Sequence, residues 1–230
     1  GLNHIDTDAF KEAGVETISL KGESKFLENI RSTAEHTWGL LLTLVRQTIA
    51  AHQSVLDGYW SRNDFIGMEL NRKTLGIIGI GRIGQEVAKI ALGCGMKVVG
   101  HDIYITDGKV DLEIGEISFS VDCPLISLEE VLNSCDVISL HIPAQPDGSA
   151  VIGKEQLDQM KPGALLINAA RGGVLDEDAL ISALNSGHLR GAALDVFVGE
   201  PSPRADILSH PGLSLTPHTG AATGEAQDRI

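Results

Sequence analysis

The sequence predicts an α/β protein built on a doubly wound parallel sheet. Three observations carry that reading. Thr74-Leu75-Gly76-Ile77-Ile78-Gly79-Ile80-Gly81-Arg82-Ile83-Gly84 is an apolar strand running into a G-x-G-x-x-G turn with a helical pattern behind it. An acidic residue, Asp102, follows eighteen positions after the last of those glycines. Apolar runs at 74–79, 97–102, 136–141, 164–168, 191–195 and 213–216 alternate with helical segments, the pattern that lays parallel strands side by side under helices on both faces. Ligands of such a sheet sit at the carboxyl ends of its strands, near the switch point.

Residues 1 to about 22 read as a helix over 6–13, a turn at Gly14 and a short strand over 15–20. Ser32 and Glu35 have capping-box spacing and open one long helix over 33–55. Its stretch from Ala34 to Val45 is apolar on most faces, so it is expected to be buried in a core or against a second subunit.

The α/β alternation begins after Asn71-Arg72-Lys73. Gly79 permits the sharp turn leaving the first strand, Gly81 lets the backbone touch a pyrophosphate, and Gly84 lets the next helix lie close on the sheet. That helix, over about 82–92, points its free amides at the phosphates. Lys97-Val98-Val99-Gly100-His101-Asp102 is the second strand. Asp102 at its tip can accept bonds from both ribose hydroxyls and would repel a 2′-phosphate. Ile103 and Tyr104 offer no arginine for such a phosphate, so NAD is favoured over NADP. Further on, Ser127 and Glu130 form a second capping box, and Asp176-Glu177-Asp178 places acids at a helix start.

Composition bounds the rest. With 230 residues and 43% hydrophobic content, the chain can bury a sizeable core in one domain or one and a fraction. A net charge of −13 argues against nucleic acid and anionic membrane partners and suits a solvated surface. No long apolar segment or signal peptide is visible, which gives a cytoplasmic expectation. Cys94, Cys123 and Cys135 are odd in number without C-x-x-C spacing, so buried free thiols are expected rather than disulfides or zinc, and no metal-ligand spacing occurs. The chain starts at Gly1 without methionine and stops at Ile230 inside a helical pattern, so both ends read as cut.

Three polar residues lie just beyond late strands. Arg171 follows Ile167-Asn168-Ala169-Ala170, Glu200 follows Ala193-Leu194-Asp195-Val196-Phe197-Val198-Gly199, and His218 follows Leu215-Thr216-Pro217. In a doubly wound sheet these strand ends face the same crevice as the glycine turn.

With these residues in place, the sequence resembles the D-isomer-specific 2-hydroxyacid dehydrogenases, most closely those of the phosphoglycerate dehydrogenase type. Gly-Ile-Gly-Arg-Ile-Gly at 79–84, Asn-Ala-Ala-Arg-Gly-Gly at 168–173, Leu-Asp-Val-Phe-Val-Gly-Glu-Pro at 194–201 and Pro-His-Thr-Gly-Ala at 217–221 match that family's motifs in order and spacing. The segments at 1–6 and 32–37 match as well. The resemblance implies that Arg171 holds the substrate carboxylate, as a guanidinium fork fits a carboxylate bidentately. It makes His218 the acid/base, with a ring that titrates near working pH, and Glu200 the carboxylate that orients His218 and raises its pKa.

By the same resemblance Arg82 and Ile83 contact the pyrophosphate, and Ile142 and Pro143 line the adenosine side. Ala169, Ala170 and Asp195 approach the nicotinamide, with Asp195 meeting its carboxamide. The loop from His218 through Gly220 to Ala221 closes that end. His36 reads as a packing or interface residue, Trp60 and Arg62 as packing. His101 and His141 sit beside the cofactor, and His4, His52, His188 and His210 have no motif around them. NAD performs the redox step and no metal is needed.

The family has two domains. The resemblance implies that residues 1–28 are a remnant of a flavodoxin-like substrate domain, 29–218 an NAD-binding Rossmann domain, and 219–230 the start of a return helix. It implies a homodimer through the 33–55 helix and a small 2-hydroxy or 2-keto acid substrate. Candidates are 3-phosphoglycerate, which is favoured, then glycerate with glyoxylate or hydroxypyruvate, and D-lactate-like acids. The alternative is an NAD-sensing interaction protein like the C-terminal-binding corepressors, which keep the same residues. Formate dehydrogenases share the fold, but their pattern has an amide where Glu200 stands.

Overall fold

The computed structural model describes residues 5–18, 27 and 30–229. Helix α1 (Thr7–Glu12) is capped by Asp6, whose side chain accepts from the Ala9 amide at 2.9 Å, and it buries none of its residues. No strand forms at 15–18, and residues 19 and 20 of the expected 15–20 strand lie outside the described residues, as do positions 1–4.

The expected 33–55 helix is two helices, α2 (Ser32–Arg46) and α3 (Thr48–Leu56), broken at Gln47. Gln47 sits in the left-handed region at φ 50, ψ 40, and its amide closes α2 on Leu44 and Thr43 carbonyls. The apolar stripe of α2 (Ala34, Thr37, Leu41, Val45) follows helical spacing and is buried. On α3 nothing is buried, and Ile49, Val55 and Leu56 are exposed. The capping box at Ser32 is also absent. Arg31 is the cap without a side-chain bond, and Ser32 is the first helical residue, its hydroxyl buried without a partner. Helical geometry at Ser32 turns that oxygen away from the third amide, which a capping box needs.

Six parallel strands form one sheet: β1 (Thr74–Ile78), β2 (Lys97–His101), β5 (Val137–Leu140), β6 (Leu165–Asn168), β7 (Gly191–Leu194) and β8 (Leu213–Leu215). Their order is β2-β1-β5-β6-β7-β8. The chain leaves β1 toward one edge and returns to its other side at β5, so the switch point lies between β1 and β5. Strands β5, β6 and β7 are buried at every position, as parallel strands covered on both faces must be. Between them run α4 (Arg82–Gly93), α5 (Leu128–Ser134), α6 (Lys154–Gln159) and α7 (Glu177–Asn185). One core gathers α2 and α4 residues under one face, and the other gathers α5, α6 and α7 under the opposite face. The Ser127–Glu130 capping box forms, and Asp176 caps α7 through the Ala179 amide.

An antiparallel hairpin, β3 (Lys109–Ile114) and β4 (Ile117–Asp122), stands apart from the sheet and was not expected. Its register puts Val110, Leu112, Ile114, Ile117, Phe119 and Val121 on one face. Val110 is fully buried, while Ile114 and Ile117 at the tip are exposed. Short helices α8 (Ala205–Ser209) and α9 (Gly224–Asp228) complete the described chain, the latter capped by Thr223. Cys123 and Cys135 are buried free thiols, but Cys94, expected to be buried, is exposed just past α4.

A left-handed glutamine costs about 1 kcal/mol, which glycine avoids apart from its extra unfolded-state entropy. Gln47→Gly should therefore raise Tm by about 2 °C. A lower Tm would show that the long Gln47-to-Ile66 carbonyl bond, at 3.4 Å, outweighs the backbone strain.

Candidate active site

The glycine turn is shaped from inside the protein. Gly79 has φ 94, and a Cβ there would come within 2.6 Å of the His141 carbonyl and 2.8 Å of the Ile142 side chain. A Cβ on Gly84 would collide with the Gly79 carbonyl. Gly81 differs, because a Cβ there would meet no atom of the described residues within 4 Å. It is the N-cap of α4, and no side chain caps the helix, so the amide end is open on that side. Ile83 lies in the first turn of α4. Arg82, expected at the pyrophosphate, donates from Nη1 to the Ile30 carbonyl at 2.6 Å, and burial lowers its pKa.

Asp102, just beyond β2, braces the turn. Its Oδ2 accepts from the Ile80 amide at 2.9 Å, and its Oδ1 accepts from Tyr104 and Ile105 amides at 2.8 and 3.1 Å. Oδ1 thus spends both of its lone pairs on the loop, while Oδ2 keeps one further acceptor site. Ile142 and Pro143 follow β5, with Ile142 against the glycine turn. His141, bonded through Nε2 to Ser139 Oγ at 2.8 Å, has its pKa pushed down to about 4 by burial.

The second half of the site comes from β6, β7 and β8, whose ends are in register at Asn168, Leu194 and Leu215. Asn168, 1% exposed, folds the first loop: its Oδ1 accepts from the Ala170 amide at 3.1 Å and its Nδ2 donates to the Arg171 carbonyl at 2.9 Å. Ala169 and Ala170 lead to Arg171, whose Nη1 donates to the Ala170 carbonyl at 2.6 Å. The next residue, Gly172, lies so close to the Phe197 carbonyl that a Cβ would overlap it. The Phe197 amide in turn donates to Glu200 Oε1 at 2.8 Å, and Glu200 Oε2 lies 2.7 Å from His218 Nδ1. Backbone contact thus connects the Arg171 loop to the Glu200–His218 pair. A carboxylate partner puts the ring proton on Nδ1 and leaves Nε2 unbonded to Glu200. A mostly apolar cavity of about 330 Å³, walled by Phe197, Pro203, Leu208 and Leu215, opens beside the pair.

Two residues that the sequence reading did not place in the site belong to this region. Glu177 stands in the first turn of α7, as its helix-start reading has it, but it is buried, and its Oε1 accepts from the Val198 amide at 2.8 Å. Desolvation raises its pKa. His36, read as packing, sends Nε2 to Asp195 Oδ1 (3.1 Å) and Thr216 Oγ1 (2.9 Å). Asp195, which the resemblance aims at the nicotinamide carboxamide, also bonds the protein itself. It is 1% exposed and accepts from the Thr216 hydroxyl and from the Thr219 and Gly220 amides. With donors on both oxygens, the carboxylate holds the loop from His218 to Gly220. A helical histidine carries no motif of its own, and only the match of 32–37 to a family segment pointed toward His36.

A family model for the NAD-binding domain of D-isomer specific 2-hydroxyacid dehydrogenases matches residues 38–220. The chain belongs to that family. D-3-phosphoglycerate dehydrogenase of Mycobacterium tuberculosis is 40% identical over 229 residues, covering 100% of this chain and 41% of the relative. The human enzyme of that name is 39% identical over 229 residues, covering 100% and 40%. The chain thus spans about two fifths of the length of these relatives. Among solved structures, the TT0316 protein of Thermus thermophilus superposes with TM-score 0.83 at 36% identity, covering 100% of this chain and 69% of that one. D-lactate dehydrogenase of Aquifex aeolicus, complexed with NAD and lactic acid, superposes with TM-score 0.78 at 32% identity, covering 100% and 70%.

His141 gives a pH prediction. From the ordinary value of 6.5 down to the folded value of about 4, the unfolded chain binds a proton that the folded chain refuses. Its contribution to stability is therefore complete above pH 6.5 and is lost as pH falls toward 4. Urea unfolding at pH 7, 5.5 and 4 should show His141→Gln losing less stability across this window than the parent. Equal losses would remove His141 from the account.

Proposed function

We propose that the protein is an NAD-dependent oxidoreductase acting on a small D-2-hydroxy acid and its 2-keto acid, of which a 3-phosphoglycerate-like acid is the favoured example. The observation that carries the reading is the 2.7 Å Glu200–His218 pair, joined through Phe197 to the loop of Arg171. The 40% identity to D-3-phosphoglycerate dehydrogenases supports the substrate choice.

The residues present fit the cofactor. Packing does not require glycine at Gly81, whereas a phosphate lying on the backbone does. The uncapped end of α4 suits the pyrophosphate, and Asp102 at the tip of β2 suits a ribose diol. When bound, NADH supplies the hydride. Arg171 receives the substrate carboxylate and draws electron density from the adjacent carbonyl. His218 would release its Nε2 proton to the carbonyl oxygen during reduction. Glu200, on Nδ1, stabilises the charged ring and fixes its orientation. Oxidation runs the same transfers backwards.

The wider reading keeps residues 1–28 as part of a substrate domain, 29–218 as the NAD-binding domain and 219–230 as the return segment. A homodimer is supported by the exposed Ile49, Val55, Leu56, Tyr59, Trp60 and Ile66 on and after α3. Free thiols fit a reducing, cytoplasmic compartment.

In the intact protein, turnover of a 2-keto acid panel with NADH tests the enzyme reading, and NADH binding without turnover would favour a sensor. Arg171→Ala should lower kcat/KM about a hundredfold, since losing a charged bidentate contact costs about 3 kcal/mol. An unaltered kcat/KM would end its carboxylate role. Asp102→Ala should narrow the preference for NAD over NADP, and an unchanged ratio of the two kcat/KM values would count against the ribose assignment.

A further inference from the structure

We propose that His36 is a positioning residue for His218, acting through Asp195 and Thr216. The proposal rests on the dehydrogenase reading for its kinetic consequence but not for its geometry. Four elements meet at this point: α2, the end of β7, the end of β8 and the loop that follows it.

The hydrogen positions follow from the chemistry of the partners. Asp195 Oδ1 is a carboxylate oxygen and can only accept, so the Thr216 hydroxyl at 2.6 Å donates to it. Thr216 Oγ1 therefore has only a lone pair for His36 Nε2 at 2.9 Å. His36 carries its proton on Nε2, shared between Thr216 Oγ1 and Asp195 Oδ1. Asp195 Oδ1 receives the Thr219 amide as well, at 2.8 Å, and Oδ2 receives the Gly220 amide at 2.8 Å. The Asp195 carbonyl accepts from the His218 amide at 2.8 Å.

The load on this cluster is the backbone of His218, which adopts φ 55. A non-glycine residue stays in the left-handed region only where its surroundings hold it there. The loop lies directly on α2. A Cβ on Gly220 would be 3.0 Å from Asp195 Oδ2, 3.4 Å from the Thr33 methyl and 3.8 Å from the His36 ring. Helix α2 is rigid and packed on the sheet through Leu41 and Val45. His36 therefore gives Asp195 a fixed reference outside the loop it organises. Without that donor, Asp195 Oδ1 and the Thr216 hydroxyl can turn together, and the His218 ring moves with the loop. A shift of about 1 Å in a proton donor is enough to cost on the order of a hundredfold in rate.

The test uses His36→Leu, which keeps bulk and removes the donor, and His36→Gln, whose Nε2 donates from a similar reach. In the intact protein His36→Leu should lower kcat about tenfold or more while the Kd for NADH stays within about twofold. His36→Gln should recover most of kcat. Amide exchange at Thr219 and Gly220 should quicken in His36→Leu and return toward the parent rate in His36→Gln, with Ile80 as an unaffected control. That exchange readout survives even if no 2-keto acid is turned over, so failure of the dehydrogenase reading is separable from failure of this one. Parent-like kcat and exchange in His36→Leu would overturn the proposal. So would equal impairment of both variants, since it would point to ring packing rather than donation. Should His36→Leu not fold, His36→Asn, whose shorter amide falls short of Asp195 and Thr216, must show the same accelerated exchange.

Discussion

The arrangement at the carboxyl edge of the sheet depends on one buried carboxylate. Asp195 is taken out of water at the end of β7, a placement that is unfavourable unless each oxygen finds donors. The donors are supplied by the residues that must be fixed: the hydroxyl of Thr216 and the amides of Thr219 and Gly220. The cost of burying the charge and the strain of His218 at φ 55 are settled by the same set of bonds. Desolvation makes those bonds stronger and more directional than they would be at the surface. Removing the carboxylate would release the loop and leave several donors unpaired at once.

Around that anchor the sheet register does the remaining work. Parallel pairing sets Asn168, Leu194 and Leu215 side by side, so three loops with no sequence proximity start within a few ångströms of each other. Their mutual positions are fixed by backbone groups rather than by long side chains. Gly172 seats against the Phe197 carbonyl, and the consecutive amides of Phe197 and Val198 are taken by Glu200 and Glu177. A carboxylate held through one oxygen by its own loop can present the other to a histidine without wandering, as Glu200 does.

Much of this was legible in the sequence. Parallel strands buried on both faces read as plain apolar runs, and all six were found where the apolar runs stand. The helix break at Gln47 was hidden, because a left-handed residue is normally announced by glycine or asparagine and glutamine gives no such signal. The β3–β4 hairpin was readable, with strict alternation over 109–114 and 117–122 around Gly115 at φ 61, yet the expectation of α/β alternation masked it. His36 could not be placed by local pattern. Its partners lie 159 and 180 positions away, and a polar residue on a buried helix face has no sequence mark that separates packing from bonding. The bonds of Asn168 to the loop that follows it and of Arg82 to the chain entering α2 have no local mark either.

The Glu200–His218 side of the candidate site is braced from within, while its outer face is open. The side chains of His218 and Glu200 are 50% and 32% exposed, whereas the Asp195 beneath them is sealed. An ion pair so exposed is screened and loosely held, and hydride transfer requires water to be kept from the reacting carbon. The apolar cavity lined by Phe197, Leu208 and Leu215 shelters only one flank of the pair. Closing the remaining side would strengthen the Glu200–His218 interaction by lowering the local dielectric, and do so only when substrate and cofactor are enclosed. In the proposed two-domain reading, that closure couples substrate capture to acid/base competence, with Asp195 as the fixed point against which it works.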